Sequence, residues 1–156
     1  MKTLFIIRGP SGAGKGHYIQ NHIVKNSSFS QAVVCSADDY FMQEGEYVFD
    51  VGKLPQAHSE CMYQVLSALM LEHECIVVDN THTRRWEYRN YELAAKLAGY
   101  KVEVIEIVPH SVAEMKVCAS RNQHDVPANV IASQVMRFER DSRATVIRGN
   151  IEGEAG

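Results

Sequence analysis

The stretch Leu4–Gly16, with the sequence LFIIRGPSGAGKG, is the most informative part of this chain about its fold. Its first four residues form an apolar run that is long enough for a buried parallel strand. A glycine-rich turn follows, in which Gly9, Gly14 and Lys15 have the G-x-x-x-x-G-K spacing of a phosphate-binding loop. In such a loop, backbone N–H groups and the next helix N-terminus hold phosphate oxygens. The stretch predicts a nucleotide phosphate site, and the simpler alternative is a strand-to-helix turn that binds nothing.

The composition is that of an ordinary globular domain, with 156 residues, 46% of them hydrophobic and 22% charged. The formal net charge of -3 excludes a general attraction to nucleic acid, so such a contact requires a local basic cluster. The four cysteines are widely spaced, which favours reduced thiols over disulfides or a metal site. Because no signal peptide or membrane-length apolar run is present, we expect a cytoplasmic protein without membrane contact.

Apolar strand segments alternate with helical segments along the chain. This alternation predicts parallel pairing through crossovers, and therefore an α/β three-layer sandwich of the P-loop NTPase type. The sheet is expected to be mostly parallel, with four or five strands flanked by helices. The segment 43–53 is predicted to be a covering loop, and the strand 102–108 to have a partly exposed face or an edge position. The final helix is predicted over 127–140, and the tail 141–156 is predicted to be irregular.

Acidic residues follow two of the strands, at the sheet edge where ligands of such folds bind. Asp38 follows the second strand and could accept a proton from an acceptor hydroxyl; a helix cap is the alternative. Asp79 follows the third strand in the manner of a Walker B acid. Either carboxylate could bind Mg²⁺ through water. The hydroxyl residue that usually ends the phosphate loop and coordinates Mg²⁺ is replaced by Gly16.

Arginines near this edge could neutralise the charge that develops during phosphoryl transfer. Arg121 lies between two helical segments in SRNQHDVP, a suitable place for a lid. Arg84 and Arg85 form a second basic cluster after the third strand. An exposed helix start is an equally good interpretation of that pair.

Taken together, the blocks GPSGAGKG, CSADDYF, FDVGKLPQAHSEC, VVDNTHTRRWEY and SRNQHDVP resemble the kinase module of the bacteriophage polynucleotide kinase type. The resemblance runs from Lys2 to Glu139 and is nearest to the branch found in a ubiquitin-ligase-binding protein family. It implies a P-loop kinase domain over residues 1–140. It also implies an ATP-dependent enzyme that uses ATP and Mg²⁺ to phosphorylate a hydroxyl of a nucleic acid or nucleotide, often a polynucleotide 5′-hydroxyl.

The resemblance also implies roles for individual residues. Lys15 matches the phosphate-binding lysine, Asp38 the general base and Arg121 the lid arginine, and these three are the predicted catalytic residues. The predicted metal-binding residues are Asp38 and Asp79. The predicted ATP-binding residues are Gly9, Pro10, Ser11, Gly12, Ala13, Gly14, Lys15, Gly16, His17 and Arg121. The predicted acceptor-binding residues are Asp38, Asp79, Asn80, Thr81, Arg84 and Arg85.

Three departures from the family pattern keep other functions open. Gly16 replaces the metal-binding Ser or Thr, His17 replaces a small hydroxyl residue, and Phe41 occupies the position of an arginine that binds acceptor phosphate. A nucleotide-binding module without catalysis is therefore the second hypothesis. A nucleotide hydrolase on a related loop is the third.

Overall fold

Strand-forming apolar runs and amphipathic helical segments alternate as the sequence predicts. A computed structural model describes residues 1–26, 31–122 and 124–147. The strands are β1 (Thr3–Arg8), β2 (Ala32–Cys35), β3 (Met42–Gln43), β4 (Glu46–Tyr47), β5 (Cys75–Asp79), β6 (Lys101–Ile107) and β7 (Thr145–Ile147). The helices are α1 (Lys15–Tyr18), which continues as a π-helix (Ile19–Val24), α2 (Leu54–Met70), α3 (Trp86–Leu97), α4 (Val112–Arg121) and α5 (Ala128–Met136).

The central sheet has five parallel strands in the order β2-β5-β1-β6-β7. Successive side chains of a strand point to opposite faces, and both faces of this sheet are covered by helices. In β1, Leu4 and Ile6 pack in the core on the α2 and α3 side, whereas Phe5 and Ile7 pack on the opposite side. The predicted α/β P-loop fold with a parallel sheet is confirmed.

Helix α2 illustrates how the sequence specifies these layers. Pro55 lies in its first turn, where a missing backbone N–H costs nothing. Its buried residues recur at three- and four-residue spacing, which makes one apolar stripe against the sheet. These residues are Ala57, Cys61, Val65, Ala68 and Leu69.

The structure differs from three expectations for the C-terminal part. The tail is not irregular throughout, because 145–147 form β7, which pairs with β6. As a result, β6 lies between β1 and β7 and is not an edge strand. Helix α5 also ends at Met136, four residues before the predicted end at 140. Residues 148–156 of the predicted tail lie outside the described residues.

The predicted covering loop 43–53 contains a β-hairpin. Its strands β3 and β4 are joined by Glu44 and Gly45, both at positive φ, 50° and 84°. Two consecutive residues at positive φ form a tight turn, and the twist of this turn matches that of the two strands of a hairpin. A short 3₁₀ helix, Val51–Lys53, follows and leads into α2.

A fully buried ion pair links two central strands. Arg8 and Glu106 are register partners across β1 and β6, and Arg8 Nη1 donates to Glu106 Oε2 at 2.7 Å. Both side chains are 0% exposed. Arg8 also donates to the carbonyl oxygens of His82, Thr83 and Glu139, so the pair connects the end of β5 to the segment after α5.

Replacing Glu106 with glutamine is expected to lower the free energy of unfolding by about 3–5 kcal/mol, because the charge of Arg8 then stays buried without its counter-charge. Chemical denaturation would measure this loss. Glu103→Gln is the matched control on the same strand, since its ion pair with Lys101 is solvent-exposed and should contribute less than about 1 kcal/mol. Equal losses for the two variants would contradict this account of the buried pair.

Within the described residues, none of the helices is both long and apolar enough to cross a membrane. All four cysteines are buried and unpaired by disulfides. The prediction of buried, reduced thiols is confirmed.

Candidate active site

The predicted phosphate loop connects β1 to α1 at the carboxyl end of the sheet. Close contacts explain its glycines, because a Cβ at Gly9 would collide with the carbonyl oxygen of Ile107, and one at Gly12 with that of Cys118. Gly14 has a φ of 99°, a left-handed conformation that disfavours other residues. The loop therefore rests directly against the end of β6 and the last turns of α4.

The side chain of Lys15 folds back across this loop. Its Nζ donates to the carbonyl oxygens of Gly9 at 3.0 Å and Pro10 at 3.1 Å. Burial lowers the pKa of Lys15, and the negative charges of Asp79 and Asp38 oppose that shift. The ammonium group is thus held at the loop and within electrostatic range of both predicted carboxylates.

Asp79 ends the central strand β5, between the loop and the end of β2. Burial raises its pKa, while the nearby charge of Lys15 lowers it. The described residues include no cluster of three or more His, Cys, Asp or Glu side chains that could hold a metal by themselves.

Asp38 lies in a 3₁₀ helix, Ala37–Phe41, directly after β2. Ser36 caps this helix, because its Oγ accepts a hydrogen bond from the backbone N–H of Asp38. The carboxylate of Asp38 does not cap this helix, and the Asp38 side chain is 57% exposed. Ser36, rather than Asp38, therefore fulfils the cap role that was the alternative interpretation.

Two aromatic residues close over Asp38. Tyr47 donates a hydrogen bond from Oη to Asp38 Oδ1 at 3.3 Å, and His124 Nε2 lies 3.9 Å from Asp38 Oδ2. The rings of Tyr47 and His124 stack with their centroids 3.9 Å apart. Burial, together with the nearby Asp38 carboxylate, raises the pKa of Tyr47 to about 12. Sequence reasoning did not identify either aromatic residue as part of the site.

Two side chains from the helices beyond β6 contact the loop. The predicted lid arginine, Arg121, is the last residue of α4, and its Nε donates to the carbonyl oxygen of Gly12 at 3.1 Å. Gln134 of α5 accepts a hydrogen bond from the backbone N–H of Ser11 at 3.0 Å. Gln134 belongs to no recognised motif, so this contact could not be predicted from the sequence.

Asn80 and Thr81 connect the strand ends. Asn80 is buried, and its Oδ1 accepts a hydrogen bond from the backbone N–H of Ala37 at 2.9 Å. The carbonyl oxygen of Thr81 accepts a hydrogen bond from the backbone N–H of Gly9 at 3.0 Å. These bonds tie the segment after β5 to the phosphate loop on one side and to the 3₁₀ helix on the other.

The remaining predicted residues lie at the rim. Arg84 and Arg85 are both exposed, and Arg85 pairs with Glu139 at 3.4 Å. His17 is half-buried in α1 and contacts Asn21. The structure thus brings Lys15 close to the two predicted carboxylates, and the predicted lid arginine close to the loop. The side chain of Arg85 is instead directed to Glu139.

Known proteins share this architecture. Human NEDD4-binding protein 2 is 31% identical over 138 residues, which are 88% of this chain but only 8% of that protein. A structure of the Pnkp1/Rnl/Hen1 RNA repair complex matches with a TM-score of 0.62 and 16% identity over 88% of this chain and 44% of that chain. A gluconokinase from Sinorhizobium meliloti 1021 matches with a TM-score of 0.56 and 13% identity over 93% of this chain and 81% of that chain.

The two solved structures share the fold of this chain, and the gluconokinase shows that kinases use it. The model of the family described as AAA domain matches residues 4–141, which include the phosphate loop, both strand-end carboxylates and the lid arginine. Since this match extends over most of the 156 residues, the chain belongs to the AAA domain family.

Proposed function

We propose that this chain is an ATP-dependent kinase that transfers the γ-phosphate to a hydroxyl of a nucleic acid or nucleotide, most simply a polynucleotide 5′-hydroxyl. One observation carries the proposal. Asp38 presents an exposed carboxylate at the end of β2, within electrostatic range of Lys15. A base beside a phosphate-binding lysine is what transfer to a hydroxyl acceptor requires.

In the proposed mechanism, Asp38 accepts the proton of the acceptor hydroxyl as its oxygen bonds to the γ-phosphorus. The bond between that phosphorus and the β,γ-bridging oxygen breaks, and ADP leaves with the electron pair. Lys15 and Arg121 balance the charge on the phosphate oxygens. Mg²⁺, when bound with ATP, would further neutralise the phosphates, and Asp79 with Asp38 would hold it through water.

The RNA repair complex among the structural matches supports a nucleic-acid acceptor, and the gluconokinase supports a smaller hydroxyl compound. The family resemblance favours the first, and Arg84 and Arg85 at the rim offer positive charge to an acceptor phosphate. Gly16 favours a second function, a nucleotide-binding module without catalysis, because no hydroxyl at that position can coordinate Mg²⁺.

Transfer of labelled γ-phosphate from ATP to a panel of acceptors tests the proposal. The panel would contain 5′-hydroxyl DNA and RNA oligonucleotides, nucleosides, nucleoside monophosphates and gluconate. We expect label on the 5′-hydroxyl oligonucleotides and none on matched oligonucleotides that already carry a 5′-phosphate. Label on the small acceptors alone would show that the acceptor is a small hydroxyl compound and not a polynucleotide. ATP binding without any transfer would favour the binding module, and free phosphate without labelled acceptor would favour a hydrolase.

Replacing Gly16 with serine is expected to tighten the apparent binding of Mg²⁺ in the ATP complex by on the order of tenfold, equal to about 1.4 kcal/mol. Apart from Gly16 itself, its two chain neighbours and the backbone of its own helix, no atom of the described residues lies within 4 Å of a Cβ built at Gly16, so there is room for the serine side chain. Titration of transfer activity with Mg²⁺ would measure the change. Gly16→Ala is the control, because it adds the Cβ but no metal ligand. If Gly16→Ser and Gly16→Ala depend on Mg²⁺ in the same way, the claim that this position lacks a Mg²⁺ ligand is wrong.

A further inference from the structure

One aromatic ring contacts the proposed base and also offers a stacking surface beside it. The hydroxyl of Tyr47 donates to Asp38, and the ring of the same residue stacks on His124 with 22° between the two planes. The imidazole of His124 lies near the other carboxylate oxygen of Asp38, at 3.9 Å. The ring of Tyr47 therefore lines the space next to the Asp38 carboxylate, and the ring of His124 fills that space.

The two rings are held very differently. Tyr47 belongs to the β3–β4 hairpin, which is anchored where the backbone N–H of Val48 donates to the carbonyl oxygen of Phe41 at 2.8 Å. Phe41 is 1% exposed and packs its ring against that of Tyr47 with centroids 6.1 Å apart. In contrast, His124 belongs to the connection between α4 and α5, and its buried Nδ1 has no hydrogen-bond partner in the described part of the chain. The tyrosine ring thus packs on a buried aromatic neighbour, whereas the histidine ring leaves a polar atom unsatisfied within the described residues.

We propose that the ring of Tyr47 is the stacking surface for the terminal nucleobase of the acceptor, which takes the place of the His124 imidazole, while the Tyr47 hydroxyl orients Asp38. The inference rests on the proposed function and specifies what is recognised in the acceptor. A 5′-hydroxyl bound at Asp38 is joined to its nucleobase through a single sugar. The nucleobase must therefore lie near the Tyr47 ring, whose hydroxyl contacts Asp38. Stacking of bases on aromatic side chains is a common means of holding single-stranded ends.

The test compares two 5′-hydroxyl oligonucleotides that differ only in whether the terminal sugar carries its base or is abasic. We expect the wild-type kcat/KM to favour the base-containing acceptor by about ten- to a hundredfold. Relative to Tyr47→Phe, which also lacks the hydroxyl, Tyr47→Leu should abolish this preference by slowing the base-containing acceptor alone. Tyr47→Phe should retain the preference and lower kcat equally on both acceptors. Tyr63→Leu, an exposed tyrosine on α2, is the control and should change neither.

If Tyr47→Leu is slower than Tyr47→Phe by the same factor on both acceptors, the preference is unchanged, the role of the ring is structural and the inference is overturned. Equal wild-type rates on the two acceptors would also overturn it, while leaving the proposed kinase activity intact. If neither oligonucleotide becomes phosphorylated, the proposed polynucleotide acceptor fails, and the inference fails with it. The last result is distinguishable from the others because no product forms at all.

Discussion

Lys15→Ala is expected to lower phosphate transfer by about 10²- to 10³-fold or more, the effect of removing a preorganised charge from a phosphoryl-transfer site. In the structure the Lys15 ammonium lies on the carbonyl oxygens of the loop, close to where the loop would hold phosphates. Its removal also leaves Asp79 without the positive charge that opposes the upward shift of its pKa. Both effects weaken the binding of a highly charged nucleotide.

Initial rates of γ-phosphate transfer, together with calorimetric titration of ATP, would measure the loss for Lys15→Ala. Lys25→Ala is the control. Lys25 is exposed, follows directly after the π-helix and donates a hydrogen bond to Asn21. This substitution removes the same charge from the chain and should leave transfer within a few-fold of wild type. Transfer that persists in Lys15→Ala would remove Lys15 from the proposed mechanism.

Asp38→Asn is expected to lower kcat by about 10²- to 10⁴-fold, the usual contribution of a general base. The amide has almost the same shape as the carboxylate but cannot take the proton of the acceptor. It can still interact with the hydroxyl of Tyr47, so the hairpin should keep its position. Affinity for ATP should change little, because the loop and Lys15 are unaltered.

Steady-state kinetics on the acceptor that the panel identifies would test this loss. Asp39→Asn is the matched control, because Asp39 is the adjacent exposed carboxylate of the same 3₁₀ helix. It should retain activity within a few-fold of wild type. Full activity in Asp38→Asn would exclude Asp38 as the base, and equal losses in both variants would indicate a general effect of negative charge on Mg²⁺ binding.

Local sequence patterns were sufficient for the fold and for much of the candidate site. The phosphate loop could be predicted because its glycine spacing reflects backbone contacts that a Cβ would prevent at Gly9 and Gly12. The positions of Asp38 and Asp79 followed from topology, since parallel strands end at one edge of the sheet. Each of these inferences depends on a short segment and a general rule.

Features that depend on distant parts of the chain could not be predicted in this way. A glutamate within a strand usually indicates an exposed face, yet Glu106 is buried because Arg8, 98 residues away, neutralises it. The three-residue strand β7 is too short to show a pattern, and it forms only because β6 offers an edge. The pair of Tyr47 and His124 joins two loops that the sequence separates widely.

The hairpin is an instance where a local signal was present. Glu44-Gly45 lies between two short strands, and a two-residue turn that ends in glycine is a recognised hairpin pattern. The two glycines of the segment 43–53 and its lack of helical periodicity instead suggested a loop. Recognition of this turn would have placed Tyr47 on a strand, nine residues from Asp38 in the chain.

The most direct test of the central claim is to determine where the phosphate of ATP goes. A 5′-hydroxyl oligonucleotide would be incubated with the protein, Mg²⁺ and labelled ATP, and the labelled product would be digested to locate the phosphate. We expect one phosphomonoester at the 5′ end, present with wild type and absent with Lys15→Ala. Label released only as free phosphate, or no label transfer by a protein that binds ATP, would contradict the assignment of this chain as a kinase.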